Sequence, residues 1–382
     1  MRKAVPTLLV AVGLAVAALA MAWGPLGDPV EWTPDGLFYQ ARSLEIRGMD
    51  REQALQQAFQ GPLGAELRQR DPSRSGDPAW VSYNAKFYER RIAVPLVAAA
   101  LEPAAGDRAI LDISVAGYVA AILALFALLL MRFRLPIAAA VAALTVFLPA
   151  LTHHAGFPLT DSWGLALEIA ALVAGLLVLE RGPRWLVAWV ACILVLSLTR
   201  DNVWVPILAA VALSLTQRSK DSFLLVGTGL VAVLPVMALF SVPVRELMAM
   251  MLNGIQPTPD ASWSFVAERY PGAFADLVRA NGGYVRDGAW YSAAYLAGGL
   301  ALLFLIGRGG RRTPTDTFLQ AGALAGVALL LIVPVFSAFR LELVLVPMAA
   351  FGLAHGLERV AEGATRVRWA RAPGLRGNRA RA

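Results

Sequence analysis

Apolar runs long enough to cross a membrane recur along almost the whole chain, and nothing else in the sequence constrains the fold as strongly. A helix needs about 20 residues to span the hydrocarbon core. Backbone polar groups find no water there, so a chain built from such runs folds as helices that satisfy their own hydrogen bonds. Of the 382 residues, 58% are hydrophobic and 16% charged, where a soluble domain carries about 25% charged residues. The expected fold class is all-α: a polytopic transmembrane helical bundle of about ten spans, with short helices in a long first outer loop.

The runs fall at about 4–23, 109–131, 135–153, 160–180, 185–199, 203–217, 222–243, 290–307, 316–335 and 341–358. Alternate turns carry basic residues: Arg132 and Arg134, Arg181 and Arg184, Arg218 and Lys220, then Arg308, Arg311 and Arg312. By the positive-inside rule these turns are cytoplasmic, as are both termini. The expected organisation is a first helix over 1–23, an outer loop over 24–108 and spans two to seven over 109–243. A second outer loop over 244–289, three spans over 290–358 and a basic cytoplasmic tail over 359–382 follow. The first run also resembles a signal peptide, with Ala18-Leu19-Ala20 as a small-residue site, but it continues to Trp23, an interfacial residue that favours an uncleaved helix.

The net charge of +7 follows from the same basic turns and the arginine-rich tail, which read as anchors on anionic lipid and not as a nucleic-acid surface. Cys192 is the only cysteine, which excludes an internal disulfide and a thiolate metal site. No Gly-x-x-x-x-Gly-Lys-Ser/Thr loop, Gly-x-Ser-x-Gly elbow or His-Glu-x-x-His pair occurs, so work driven by ATP and two hydrolase chemistries find no support.

In the first loop, Thr33 suits a helix N-cap and Pro34 the first helical position. On that helix Asp35, Tyr39 and Arg42 share one stripe. An acid in a first turn is favoured by the helix dipole alone, so the stripe gains meaning only from its place beside a membrane. Asp50 with Gln53 suggests a capping box for a second helix that ends near Gly61-Pro62. Residues 68–78 read as a mobile loop. The segment Tyr83-Asn84-Ala85-Lys86-Phe87-Tyr88-Glu89-Arg90-Arg91 leads into a short apolar run, Ile92 to Leu101, expected to lie at the interface.

Candidate functional residues crowd the outer edge. They are Asp35, Tyr39, Arg42, Glu89, Arg90 and Arg91 in the first loop, His153, His154 and Asp161 at the next outer turn, Arg200, Asp201 and Asn202 at the following one, and Arg340 with Glu342 before the last span. Ionisable groups at a bundle edge are costly when dry and tend to line aqueous cavities. Asp35 and Asp161 are the catalytic candidates. Tyr39, Arg42, Glu89, Arg90, Arg91, His154, Arg200 and Arg340 are the substrate-binding ones. Glu89, Asp201 and Glu342 could orient the neighbouring arginines. Plainer roles exist for each: Asp161 follows Thr160 at a helix start, Arg340 could snorkel, and Arg200 could pair locally with Asp201. Glu168 lies mid-span and should face the bundle. Adjacent histidines diverge on a helix, so His153 and His154 make a poor shared metal site. No metal or other cofactor is expected; a divalent cation stays open without a clear ligand set.

The layout resembles the GT-C, or type C, glycosyltransferases, polytopic enzymes that take sugars from polyprenyl-phosphate carriers. Thr33-Pro34-Asp35-Gly36-Leu37-Phe38-Tyr39 is similar to their acidic segment after the first helix. Tyr88 to Leu101 resembles their re-entrant juxtamembrane helix, Pro158-Leu159-Thr160-Asp161-Ser162 their second acid, and Leu198-Thr199-Arg200 their turn after the fifth span. The resemblance implies a polyprenyl-phosphate sugar donor, a lipid, glycan or protein acceptor, and a site on the outer face of the bacterial cytoplasmic membrane. It runs over about 1–243 and, more weakly, the last span. Such a donor carries its own leaving group. The enzyme must then deprotonate an acceptor hydroxyl, which a carboxylate can do, and stabilise a departing phosphate, which suits arginines. A polysaccharide polymerase or ligase would share that donor, and a transporter or flippase would place polar groups near the midplane instead.

Overall fold

The computed structural model describes residues 4–22, 31–240, 242–258, 261–306, 313–332, 334 and 337–370, with 306 and 363–370 described by backbone alone. Trp23, Arg308, Arg311, Arg312 and the tail beyond Ala370 lie outside the described residues. Every regular element among the described residues is helical. Among the described residues seven helices are long and apolar enough to cross a membrane, the build of an integral membrane protein. An eighth candidate is a bent pair, Leu135–Val146 and Pro149–Ala155, which meet at 58°. Pro149 explains the bend, because it disfavours helix at Leu148, which is extended. The two remaining expected spans are helical but short, Leu186–Ser197 with 12 residues and Trp204–Gln217 with 14. At 1.5 Å per residue they reach only about 20 Å of the roughly 30 Å core.

Small residues bring the spans together. Ala109–Leu130 packs along Asp161–Arg181, where a Cβ on Gly117 would stand 2.7 Å from the Trp163 ring. Trp290–Ile306 packs along Val346–Ala370 more tightly still. A Cβ on Gly352 would fall 1.9 Å from the Gly299 carbonyl oxygen, so the two backbones touch. The last helix runs on to Ala370, through the first part of the expected tail.

The first loop forms a cap with its own core. The helix Pro34–Ile46 starts where Thr33 Oγ1 accepts from Gly36 N at 3.1 Å. The helix Arg51–Gln60 is capped by Asp50, which accepts from Glu52 N at 2.9 Å. Leu37, Phe38, Phe59 and Trp80 bury their side chains between these helices. Tyr39, Val94, Ile110 and Leu159 form a second small core that seats the cap on the bundle. The stretch expected to be a mobile loop is held instead. Ala65–Arg70 is helical, and Arg68 donates to the Gly61 carbonyl at 3.0 Å and to that of Phe59. Arg74 reaches the Gly254 carbonyl at 3.0 Å. The apolar run after Arg91 forms the helix Ala93–Ala105, which continues past the end of that run at Leu101.

The second loop contains two helices, Val244–Leu252 and Trp263–Tyr284. The latter continues through a π turn, with Gly288 at φ 134°, into Trp290–Ile306. The second loop also braces the first. Trp80 Nε1 donates to the Ile255 carbonyl at 2.7 Å, and Lys86 pairs with Glu246.

Candidate active site

Two carboxylates from distant parts of the chain meet on one guanidinium. Asp35 follows Pro34 in the first turn of its helix, and Asp161 opens the helix Asp161–Arg181. Arg340 stands between them, with NH2 2.5 Å from Asp35 Oδ2 and Nε 2.9 Å from Asp161 Oδ1. Arg200 closes on the same Asp161 oxygen at 2.6 Å. Asp161 Oδ2 is buried with no hydrogen-bond partner among the described residues.

Local backbone explains how each side chain arrives. Gly36 lies where a Cβ would stand 2.8 Å from Pro158 Cγ, so glycine lets the Asp35 helix rest on the turn before Asp161. Arg200 is extended, with φ −152° and ψ 165°. Successive side chains in extended chain point opposite ways. Arg200 therefore goes to Asp161, while Asp201 turns to Arg90 and to Arg91, the latter at 3.2 Å. The expected local pair of Arg200 with Asp201 does not form. Arg340 leaves a turn in which Ala338 and Phe339 both have positive φ, 51° and 62°, a left-handed conformation unfavourable for residues with a side chain. His154 holds that turn, its Nε2 3.2 Å from the Ala338 carbonyl oxygen.

A tyrosine pair lines the other side. Tyr88 donates from its hydroxyl to Asp35 Oδ1 at 2.5 Å. Its ring stacks on Phe38 at 4.4 Å and meets Tyr39 edge-on at 5.5 Å. The Tyr39 hydroxyl accepts from Arg91 at 3.2 Å and from Thr160 Oγ1 at 3.0 Å. Burial alone would raise the Asp35 carboxyl; Arg340, the Tyr88 hydroxyl and Arg91 outweigh it and hold the group below its ordinary value. Burial beside Asp35 pushes the Tyr88 phenol well up, so it stays a hydrogen donor. Asp201 is likewise drawn down to about 2: the cost of its burial is overcome by Arg90, Arg91 and Arg200.

Of the residues singled out in the sequence, Asp35, Tyr39, Arg90, Arg91, Asp161, Arg200 and Arg340 form one connected network. His154 supports it through the backbone. Arg42 and Glu89 stand apart from it. Arg42 pairs with Glu45, and Glu89 with Arg51 at 2.7 Å. Glu342 does not orient Arg340; it accepts from Asn281 and Ser337, each at 3.3 Å. Glu168 faces the bundle, fully buried, and accepts from Asn202 at 2.7 Å. Sequence reasoning did not single out Tyr88 or Thr160; only the fold brings them to Asp35 and Tyr39. Among the described residues no three His, Cys, Asp or Glu side chains gather as a metal site, and a guanidinium faces both Asp35 and Asp161.

No protein-family model matches the sequence, and no curated protein matches it. Among solved structures, the crystal structure of ArnT from Cupriavidus metallidurans bound to undecaprenyl phosphate aligns with 96% of this chain, at a TM-score of 0.54 and 18% identity. The chain has an ArnT-like fold. It spans 63% of the ArnT chain's length. The identity is low enough that the likeness speaks for architecture, and the roles of side chains must be argued from the cluster itself.

Proposed function

We propose that the protein is an integral-membrane glycosyltransferase that moves a sugar from a polyprenyl-phosphate donor to a lipid, glycan or protein acceptor. The reaction takes place on the outer face of the bacterial cytoplasmic membrane. The observation that carries this reading is the meeting of Asp35 and Asp161 on Arg340, beside Arg200 and Arg91. Such a cluster offers a base and a phosphate site within one network. Asp35 is the general base on the acceptor hydroxyl, and Asp161 aligns the guanidinium groups. Arg340, with Arg200 and Arg91, holds the carrier phosphate and stabilises the charge that grows on it. The ArnT-like fold supports the donor class, since the ArnT structure holds undecaprenyl phosphate.

The test is transfer from polyprenyl-phosphate sugars to endogenous acceptor in membranes, with protein levels matched. A positioned base contributes typically 10²–10⁴-fold, so Asp35→Asn should nearly abolish transfer. Asp35→Glu should keep a fraction. Normal transfer by Asp35→Asn refutes the assignment of the base. A product extended by many units, and not by one sugar, would favour a polymerase on the same donor.

A further inference from the structure

Each oxygen of Asp35 already faces a partner that stabilises its charged form and so weakens it as a base. Tyr88 donates to Oδ1 and Arg340 reaches Oδ2 at 2.5 Å. The two partners differ in freedom. Tyr88 is wedged between Phe38 and Tyr39. Arg340 has a long side chain, about a fifth of it exposed, and its Nε is tied to Asp161 at 2.9 Å. Asp161 can keep that hold while the far end of the guanidinium turns, because it binds Nε and not the NH2 that faces Asp35.

We infer that Arg340 is a shared cation: the donor's phosphate draws its NH2 end away from Asp35, and the freed Oδ2 is the oxygen that accepts the acceptor's proton. This rests on the reading of the site as a lipid-linked donor site. The chemistry moves charge the same way. The acceptor O–H bond breaks and its proton goes to Oδ2. The oxygen's electron pair forms a bond to the anomeric carbon, and the bond from that carbon to the phosphate oxygen leaves with its pair on the carrier. Asp35 loses its negative charge while the phosphate, a diester before and a monoester after, gains one. The best place for a neighbouring cation therefore shifts from Asp35 to the phosphate within the same step. Until a phosphate arrives, Arg340 keeps Asp35 a weaker base, so donor binding promotes deprotonation of the acceptor.

Competition for one cation has a thermodynamic signature. Ionised Asp35 and bound phosphate must oppose each other, and removing the Asp35 charge must tighten phosphate binding. The experiment uses the full chain in phosphatidylcholine nanodiscs, titrated with undecaprenyl phosphate, with inorganic phosphate as a second arm. Thermal unfolding confirms that each variant is folded. Asp35→Asn, with Asp35→Ala as a second variant, should bind undecaprenyl phosphate at least about fivefold tighter, the low end of ordinary coupling between sites. The gain should vanish when Arg340→Gln is added. Wild-type binding that Asp35→Asn leaves unchanged or weakens overturns the inference and spares the donor-site reading. A gain that survives Arg340→Gln overturns Arg340 as the shared group. A gain with inorganic phosphate alone overturns the lipid-linked ligand. Absence of binding by every variant overturns the donor-site reading and the inference with it.

Discussion

Replacing Gly36 by alanine tests whether a steric fit sets the position of Asp35. A Cβ there would stand 2.8 Å from Pro158 Cγ and 3.0 Å from the Pro158 carbonyl oxygen. Two effects on stability oppose each other. Alanine favours the helix over glycine by about 1 kcal/mol. Overpacking a close contact costs about 1–3 kcal/mol. The net change is therefore modest, a loss of at most about 2 kcal/mol. Position suffers more. Ordinary contact begins at 3.4 Å, so the helix must retreat by about 0.6 Å, and Asp35 is the adjoining residue. A 1 Å error at a reacting group costs about 100-fold, so this shift should cost on the order of tenfold in kcat/KM. The assay is the membrane transfer reaction, run beside thermal unfolding of the purified protein. Adding Pro158→Ala removes Cγ and should restore part of the rate. Full activity in Gly36→Ala with an unchanged Tm would show that this contact does not place Asp35.

Other expectations follow from the same geometry. Tyr88→Phe keeps the stack on Phe38 and removes a hydrogen bond to a charged group, worth about 1.5–3 kcal/mol, so kcat should fall while circular dichroism stays unchanged. Asp201, held near 2, contributes stability that is present above its ordinary 3.8 and is lost as pH falls through about 2. Melting temperature followed downward from about pH 5 should drop across that window, and Asp201→Asn should flatten the drop. Reporter fusions after Arg134, Arg184 and Arg311 should report cytoplasm, and fusions near Gly76 and Asp260 the outside; a cytoplasmic Gly76 would invert the topology.

The bundle was legible in the sequence because its driving force is local and repetitive. Runs of apolar residues between basic turns mark spans wherever they are continuous, as at Ala109–Leu130 and Asp161–Arg181. The capped helix at Thr33-Pro34 was legible for the same reason, since a cap is written in adjacent residues. What failed depends on distant partners. Trp263–Tyr284 carries Pro271 and mixed charges, so neither period nor composition marks it as a helix. The turn before Arg340 places Ala338 and Phe339 at positive φ, where a glycine would have given a signal. Arg200 and Asp201 looked like a pair because they are neighbours, yet extended backbone sends them to opposite partners. Tyr88 reaches Asp35 across 53 positions, a contact no local pattern encodes.

The cluster also has an order in time. Asp35, Asp161 and Arg200 are all made before Arg340, which follows Asp161 by 179 positions. Ribosomes add about 5–20 residues per second, so the second acid waits roughly 10–40 s for the cation that joins it to the first. During that wait Asp161 has Arg200, while the contact between Asp35 and Arg340 does not yet exist. A nascent chain stopped before residue 340 carries both acids without the charge that links them.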